Sequence, residues 1–128
     1  MDSVQPTLKH ISAVDWDGAP LVSEAPIAVD CQLEIGASGE DFVDYFTLTV
    51  VNRAWAEAHL AAVPDAAPAW LPPRAILLAD APSFQAIEDC LTREMATMGP
   101  YRTWPEFANR LGPYLRWELE GVPYPPFV

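Results

Sequence analysis

Between Ile27 and Ile35 apolar and polar residues alternate without a break. Ile27, Val29, Cys31, Leu33 and Ile35 fall on one side, and Ala28, Asp30, Gln32 and Glu34 on the other. A period of two marks a half-buried strand with its acids turned outward. Gly36-Ala37-Ser38-Gly39 reads as a turn, and a second strand follows from Phe42 to Val51. In that strand Phe46, Leu48 and Val50 point inward, and Tyr45, Thr47 and Thr49 outward. The two form a long antiparallel hairpin with Glu40 and Asp41 at its tip. Ahead of it, Thr7 to Val14 predicts a short strand, Asp15-Trp16-Asp17-Gly18 a turn, and Pro20 to Pro26 an irregular connector.

Beyond the hairpin the period lengthens. Asn52 can cap a helix running from about Arg53 to Val63. Pro64 to Pro73 reads as a Pro/Ala-rich loop, and Arg74 to Ala79 as a short buried strand. Phe84, Ile87, Leu91, Met95 and Met98 share one face of a helix capped by Asp80 or Ser83. Gly99-Pro100 ends that helix, the glycine as a left-handed cap. Thr103-Trp104-Pro105-Glu106 is a capping-box pattern opening a third helix, closed by Gly112-Pro113. Leu115, Trp117 and Leu119 alternate with Arg116, Glu118 and Glu120, which predicts a last strand. Three strands, a helix, a strand, two helices and a strand predict an α+β fold: a single domain with a largely antiparallel sheet and helices packed on one face. The domain spans residues 1–128, with a core over about 7–120 and a Pro-rich extended tail over 121–128.

Charge changes the picture. The chain of 128 residues carries 7 Lys+Arg against 18 Asp+Glu, a net charge of -11. Residues 1–52 hold nine acids and one base, Lys9, a net of -8; residues 53–128 hold nine acids and six bases, a net of -3. Nucleic-acid readers need a basic footprint to displace counterions, and anionic lipid attracts the same sign. Neither nucleic acid nor membrane is therefore an expected partner. A hydrophobic content of 51% argues against intrinsic disorder. The N-terminal residues lack a basic and apolar leader pattern, and no apolar run approaches a membrane span, so a cytoplasmic location is expected. Cys31 and Cys90 lack CxxC spacing and read as buried free thiols.

The sequence contains no nucleophile-elbow, phosphate-loop, dinucleotide or zinc-protease motif. His10 and His59 stand in no recognised relation to a nucleophile and read as structural. Asp15-Trp16-Asp17-Gly18 lacks the remaining ligands of a calcium loop. Among 18 acids, neighbouring carboxylates such as Glu118 and Glu120 arise by chance. No catalytic residue, metal or cofactor is assigned. Trp104, Phe107 and Trp117 read as core, and Trp70 as packing within its loop.

One ordered set of motifs has a precedent. It runs through Leu33-Glu34-Ile35-Gly36, a Gly/acid turn, Phe46-Thr47-Leu48-Thr49-Val50 and Trp55. Ile76-Leu77-Leu78, the helix from Phe84 to Met98, Trp104-Pro105-Glu106 and Tyr114-Leu115-Arg116-Trp117-Glu118 follow. In this order the chain resembles the immunity protein 8 family of bacterial polymorphic-toxin systems, from about Leu8 to Glu120. The Pro/Ala-rich segment Pro64–Pro73 and the Pro-rich tail depart from the pattern. The resemblance implies a non-enzymatic cytoplasmic antidote that binds and neutralises a cognate toxin domain. It carries no set of toxin-contacting residues.

The charge then suggests a contact surface. Many toxin domains attack nucleic acids and are basic around the active site, and a preformed acidic surface meets such a site and steers encounter. The first candidate is the hairpin edge and tip from Gly36 to Asp44, with Glu40, Asp41 and Asp44. The second is the outward strand face, with Asp30, Gln32 and Glu34. Asp15 and Asp17 complete the set. Two alternatives use the same acids: an adaptor domain with no toxin partner, whose charge serves solubility, and a small carboxylate-based enzyme or metal-binding domain.

Overall fold

A computed structural model of the chain describes residues 3–71 and 75–118. Among these, six strands and three helices follow in the order β1 (Pro6–Ala13), β2 (Ala28–Ala37), β3 (Asp44–Val51), α1 (Arg53–His59), β4 (Ala69–Leu71), β5 (Ile76–Leu78), α2 (Phe84–Met98), α3 (Trp104–Leu111) and β6 (Arg116–Trp117). They form one α+β domain with a mixed, mostly antiparallel sheet.

The alternation in the sequence sets the register. β2 and β3 pair antiparallel with Cys31 opposite Leu48 and Leu33 opposite Phe46. All four are buried, as are Ile35 and Val50. β1 pairs antiparallel with the other side of β2, with an irregularity between Leu8 and His10. The far side of β3 takes β5 in parallel at Thr49–Val51 and β6 antiparallel at Phe46–Thr47. The hairpin expected to present an edge is therefore interior on both sides; β1 and β4 are the ends of the sheet order. The missing signal was β1, whose apolar positions alternate too weakly to announce a partner for β2.

β4 lies inside the Pro/Ala-rich segment read as a loop and pairs antiparallel with β5. Three residues are too few to show a period. Pro72, Pro73 and Arg74 of the expected loop and strand, Leu119 and Glu120 of the last strand, and the tail 121–128 lie outside the described residues.

Side-chain caps fix the helix starts. The Asn52 carboxamide oxygen accepts from Trp55 N at 3.0 Å and Ile27 N at 2.9 Å, and its nitrogen donates to Ala25 O at 2.8 Å. One buried side chain thus starts α1 and holds the connector into β2. α1 ends at His59, short of the expected Val63. Ser83, not Asp80, caps α2; Asp80 instead accepts from Arg53 at 3.0 Å. Gly99 is extended at φ -70° and ψ 174°, so it is no left-handed cap. The last carbonyls of α2 are met by side chains instead. Tyr101 Oη donates to Met95 O at 2.6 Å, and Arg110 donates to Met98 O at 2.7 Å. At α3 the Thr103 hydroxyl accepts from Glu106 N, while the Glu106 carboxylate accepts from Arg102 N rather than from its capping residue.

The main core lies between the sheet and the helices α2 and α3. Ile87, Leu91, Phe107 and Leu111 meet Leu33, Phe46, Leu48 and Leu77 there, all at most 1% exposed. Full burial of each stabilises the fold by roughly 1.5–3 kcal/mol. Cys31 and Cys90 sit in this core as free thiols, and burial pushes the Cys31 thiol up to about 11. A second, smaller cluster joins Val51, Ala56, Leu71 and Leu78. Val50 and Leu77, their strand neighbours, belong to the main core, so the pleat places Val51 and Leu78 on the opposite face. α1 therefore closes one end of the outer face, in addition to the two helices on the inner one. Trp70, read as packing within its loop, stands instead in β4 and packs edge-to-face with Tyr114 at 5.0 Å.

Candidate functional site

The loop between β2 and β3, residues 38–43, is the tip of the hairpin, and it is tied down on several sides. Gly36 lets the return stroke lie close, because a Cβ there would stand 2.2 Å from Phe42 O. Gly39 supplies the turn at φ +81°. Glu40 N donates to Ala37 O at 3.1 Å, and Ser38 N donates to Gln5 O at 2.7 Å, ahead of β1. The Thr7 and Ser38 hydroxyls share a hydrogen bond, and the Lys9 ammonium donates to Glu40 O. On the helix side the Phe42 ring stands edge-on to Trp104 with centroids 5.2 Å apart. The Glu40 and Asp41 side chains project into solvent from this fixed loop and form no ion pair with any described residue.

Asp44 does something else. It shares the inward face of β3 with Phe46, and one of its carboxylate oxygens accepts from both Trp104 Nε1, at 2.6 Å, and Trp117 Nε1, at 3.0 Å. A half-buried carboxylate between two indole N–H donors joins β3, α3 and β6. Asp44, a candidate contact acid in the sequence, is thus engaged as an internal acceptor. Local alternation around Asp44 points to this side, but only the fold supplies the two indoles.

The outer face carries Asp30, Gln32 and Glu34 from β2 and Tyr45, Thr47 and Thr49 from β3. Asp30 accepts from the Thr49 hydroxyl at 2.6 Å across the strand pair. Glu34 lies between His10 of β1 and Tyr45 of β3 in register. A shallow cleft of about 560 Å³ crosses this face, lined by Ser12, Asp30, Gln32, Thr47, Thr49 and Arg116 among others. Among the described residues, Asp30 is the lining carboxylate and Arg116, opposite Thr47, the lining cation. Sequence reasoning put Arg116 on the outward side of the last strand but could not tell that this strand pairs with β3 beside Thr47.

The seven predicted acids thus do not form one patch. Glu40 and Asp41 share the tip; Asp30 and Glu34 share the outer face; Asp44 turns inward. Asp15 and Asp17 follow the opposite end of β1, whose eight residues span roughly 25 Å. There they shape a turn: Asp15 takes φ 60°, and Asp17 accepts from Ala19 N at 3.0 Å. Among the described residues no three His, Cys, Asp or Glu side chains gather in a way that could hold a metal ion. No helix of the described residues is long and apolar enough to cross a membrane.

The immunity protein 8 family model matches residues 7–121. The chain belongs to this family. The match takes in the whole sheet except the start of β1, both helix layers and the tip. No curated protein and no solved structure matches the chain. Membership in the immunity protein 8 family gives the chain an immunity role in general terms, and with it a toxin as partner in general.

Proposed function

We propose that this immunity protein binds a cognate bacterial toxin domain in the cytoplasm and neutralises it, without catalysis, by laying the acidic end of its hairpin on a basic toxin surface. The observation that carries the reading is the pinned tip. Glu40 and Asp41 stand on an irregular loop that β1 and α3 hold rigid, while the neighbouring outer face adds Glu34. A loop ordered before binding loses little further entropy on docking. Unpaired carboxylates on such a loop attract a cationic partner over distances of about a Debye length, ~8 Å at physiological salt. A nuclease toxin, basic where it grips its nucleic acid, is the partner class that fits best.

The test is co-production in cells of the toxin domain encoded by the adjacent gene with this chain. Wild-type chain is expected to restore growth, and Glu34→Lys/Glu40→Lys/Asp41→Lys to lose protection while melting normally. Full protection by that triple variant would place the interface elsewhere.

A further inference from the structure

Among the described residues the large hydrophobic side chains left exposed are Val14, Val22, Phe42 and Tyr45. All four fall in the acid-rich first 52 residues. The tryptophans, usual candidates for interface anchors, each have a partner within the chain: Trp16 on Phe84, Trp55 on His59, Trp70 on Tyr114, and Trp104 and Trp117 on Asp44. Phe42 and Tyr45 are different. They remain 45% and 39% exposed at the same end of the hairpin as Glu34, Glu40 and Asp41.

We propose that Phe42 and Tyr45 are the anchoring contacts of the toxin interface, ringed by Glu34, Glu40 and Asp41, and that their partner is a basic protein surface presenting Arg and Lys side chains. The proposal rests on the reading that the acidic end of the hairpin meets a basic toxin. Phe42 packs T-shaped on Trp104 and keeps 45% of its surface exposed. Because the loop around it is tied to β1, the ring is already positioned. Tyr45 stands on the outer face of β3, opposite Glu34, and its hydroxyl has no hydrogen-bond partner among the described residues. Phe42 leans to the helix side and Tyr45 to the outer side, so a partner touching both straddles the end of the hairpin.

Charge complementarity selects the occupant. Lys9 has its ammonium on the Glu40 carbonyl and forms no ion pair with the Glu40 or Asp41 carboxylate, and one cation against two acids leaves this group net negative. An aromatic face beside acids suits a guanidinium or ammonium, which is drawn to the ring quadrupole and the carboxylate together. Aromatic anchors at the centre with a charged rim match the anatomy of protein interfaces, where anchors govern dissociation and rim charges govern association.

The test is a kinetic comparison of the full-length chain with its variants, binding the toxin domain encoded by the adjacent gene. Phe42→Ala and Tyr45→Ala are each expected to speed dissociation roughly 10- to 100-fold, with association and its salt dependence within about twofold. Tyr45→Phe is expected to keep slow dissociation. Glu40→Gln/Asp41→Asn is expected to slow association and flatten its salt dependence, with dissociation little changed. Tyr45→Ala, on the open face of β3, covers the case in which Phe42→Ala loosens the tip. Unchanged dissociation in a normally melting Tyr45→Ala variant, with the acid variants still slowing association, overturns the anchors alone. Loss of every effect, acids included, overturns the acidic-surface reading itself.

Discussion

Asp44 is where sequence and structure disagree most, and its removal gives the sharpest stability prediction. Asp44→Ala takes the acceptor from two indole N–H groups at once. Trp117 is 7% exposed, so losing this buried acceptor costs about 1–3 kcal/mol. Trp104 is half-buried and regains some water, a loss of about 0.5–1 kcal/mol. The expected total is about 1.5–4 kcal/mol. Asp44→Asn keeps a carbonyl acceptor of the same shape and should cost about 1 kcal/mol, the difference between a charge-assisted and a neutral bond. Urea unfolding followed by tryptophan fluorescence reads both. With a slope of roughly 1–3 kcal/mol per molar, the alanine midpoint should fall by roughly 0.5–4 M and, at the same slope, the asparagine midpoint by less. An alanine variant within about 0.5 kcal/mol of wild type would falsify the bridging role. So would an asparagine variant as unstable as alanine.

Two further outcomes follow from the same geometry. Gly36→Ala drives a methyl group into the Phe42 carbonyl. It should cost about 1–3 kcal/mol, seen as a lower melting temperature, and weaken toxin binding by displacing the tip, whereas exposed Ser38→Ala should do neither to that extent. Cys31 should resist alkylation in the native protein at neutral pH and react on unfolding, since burial first, and the neighbouring Asp30 charge second, hold its pKa near 11. A thiol raised in this way favours folding below its unfolded pKa of about 9. Its contribution is then lost as pH rises from about 9 to about 11, and Cys31→Ala should flatten the stability profile over that window.

Legibility in the sequence followed the length of the repeating pattern. β2 and α2 were readable because nine residues of strict alternation, and five apolar positions on one helix face, leave little choice of face. The hairpin partners and Ser83, Thr103 and Asn52 as caps came from the same local rules. The alternation from Leu115 onward announced β6, but β4 offers only three residues, and pairing rather than periodicity defines it. The left-handed cap at Gly99 failed because Tyr101 and Arg110 reach the carbonyls that such a cap would serve, which is a tertiary effect. The acids were read correctly as outward on β2. Their division into tip, outer face and far turn depends on β1, which puts Asp15 and Asp17 at the opposite end from Glu40. Asp44 could not be read alone, since its two donors are 60 and 73 residues away.

Association kinetics test the central claim most directly. The quantity is the rate constant for this chain meeting the toxin domain of its own locus, measured from low to high ionic strength. The account predicts fast association that falls by roughly tenfold or more as salt rises, and a Glu34→Lys/Glu40→Lys/Asp41→Lys variant that is slow and nearly salt-independent. Equal rates for the two proteins at every ionic strength would contradict it.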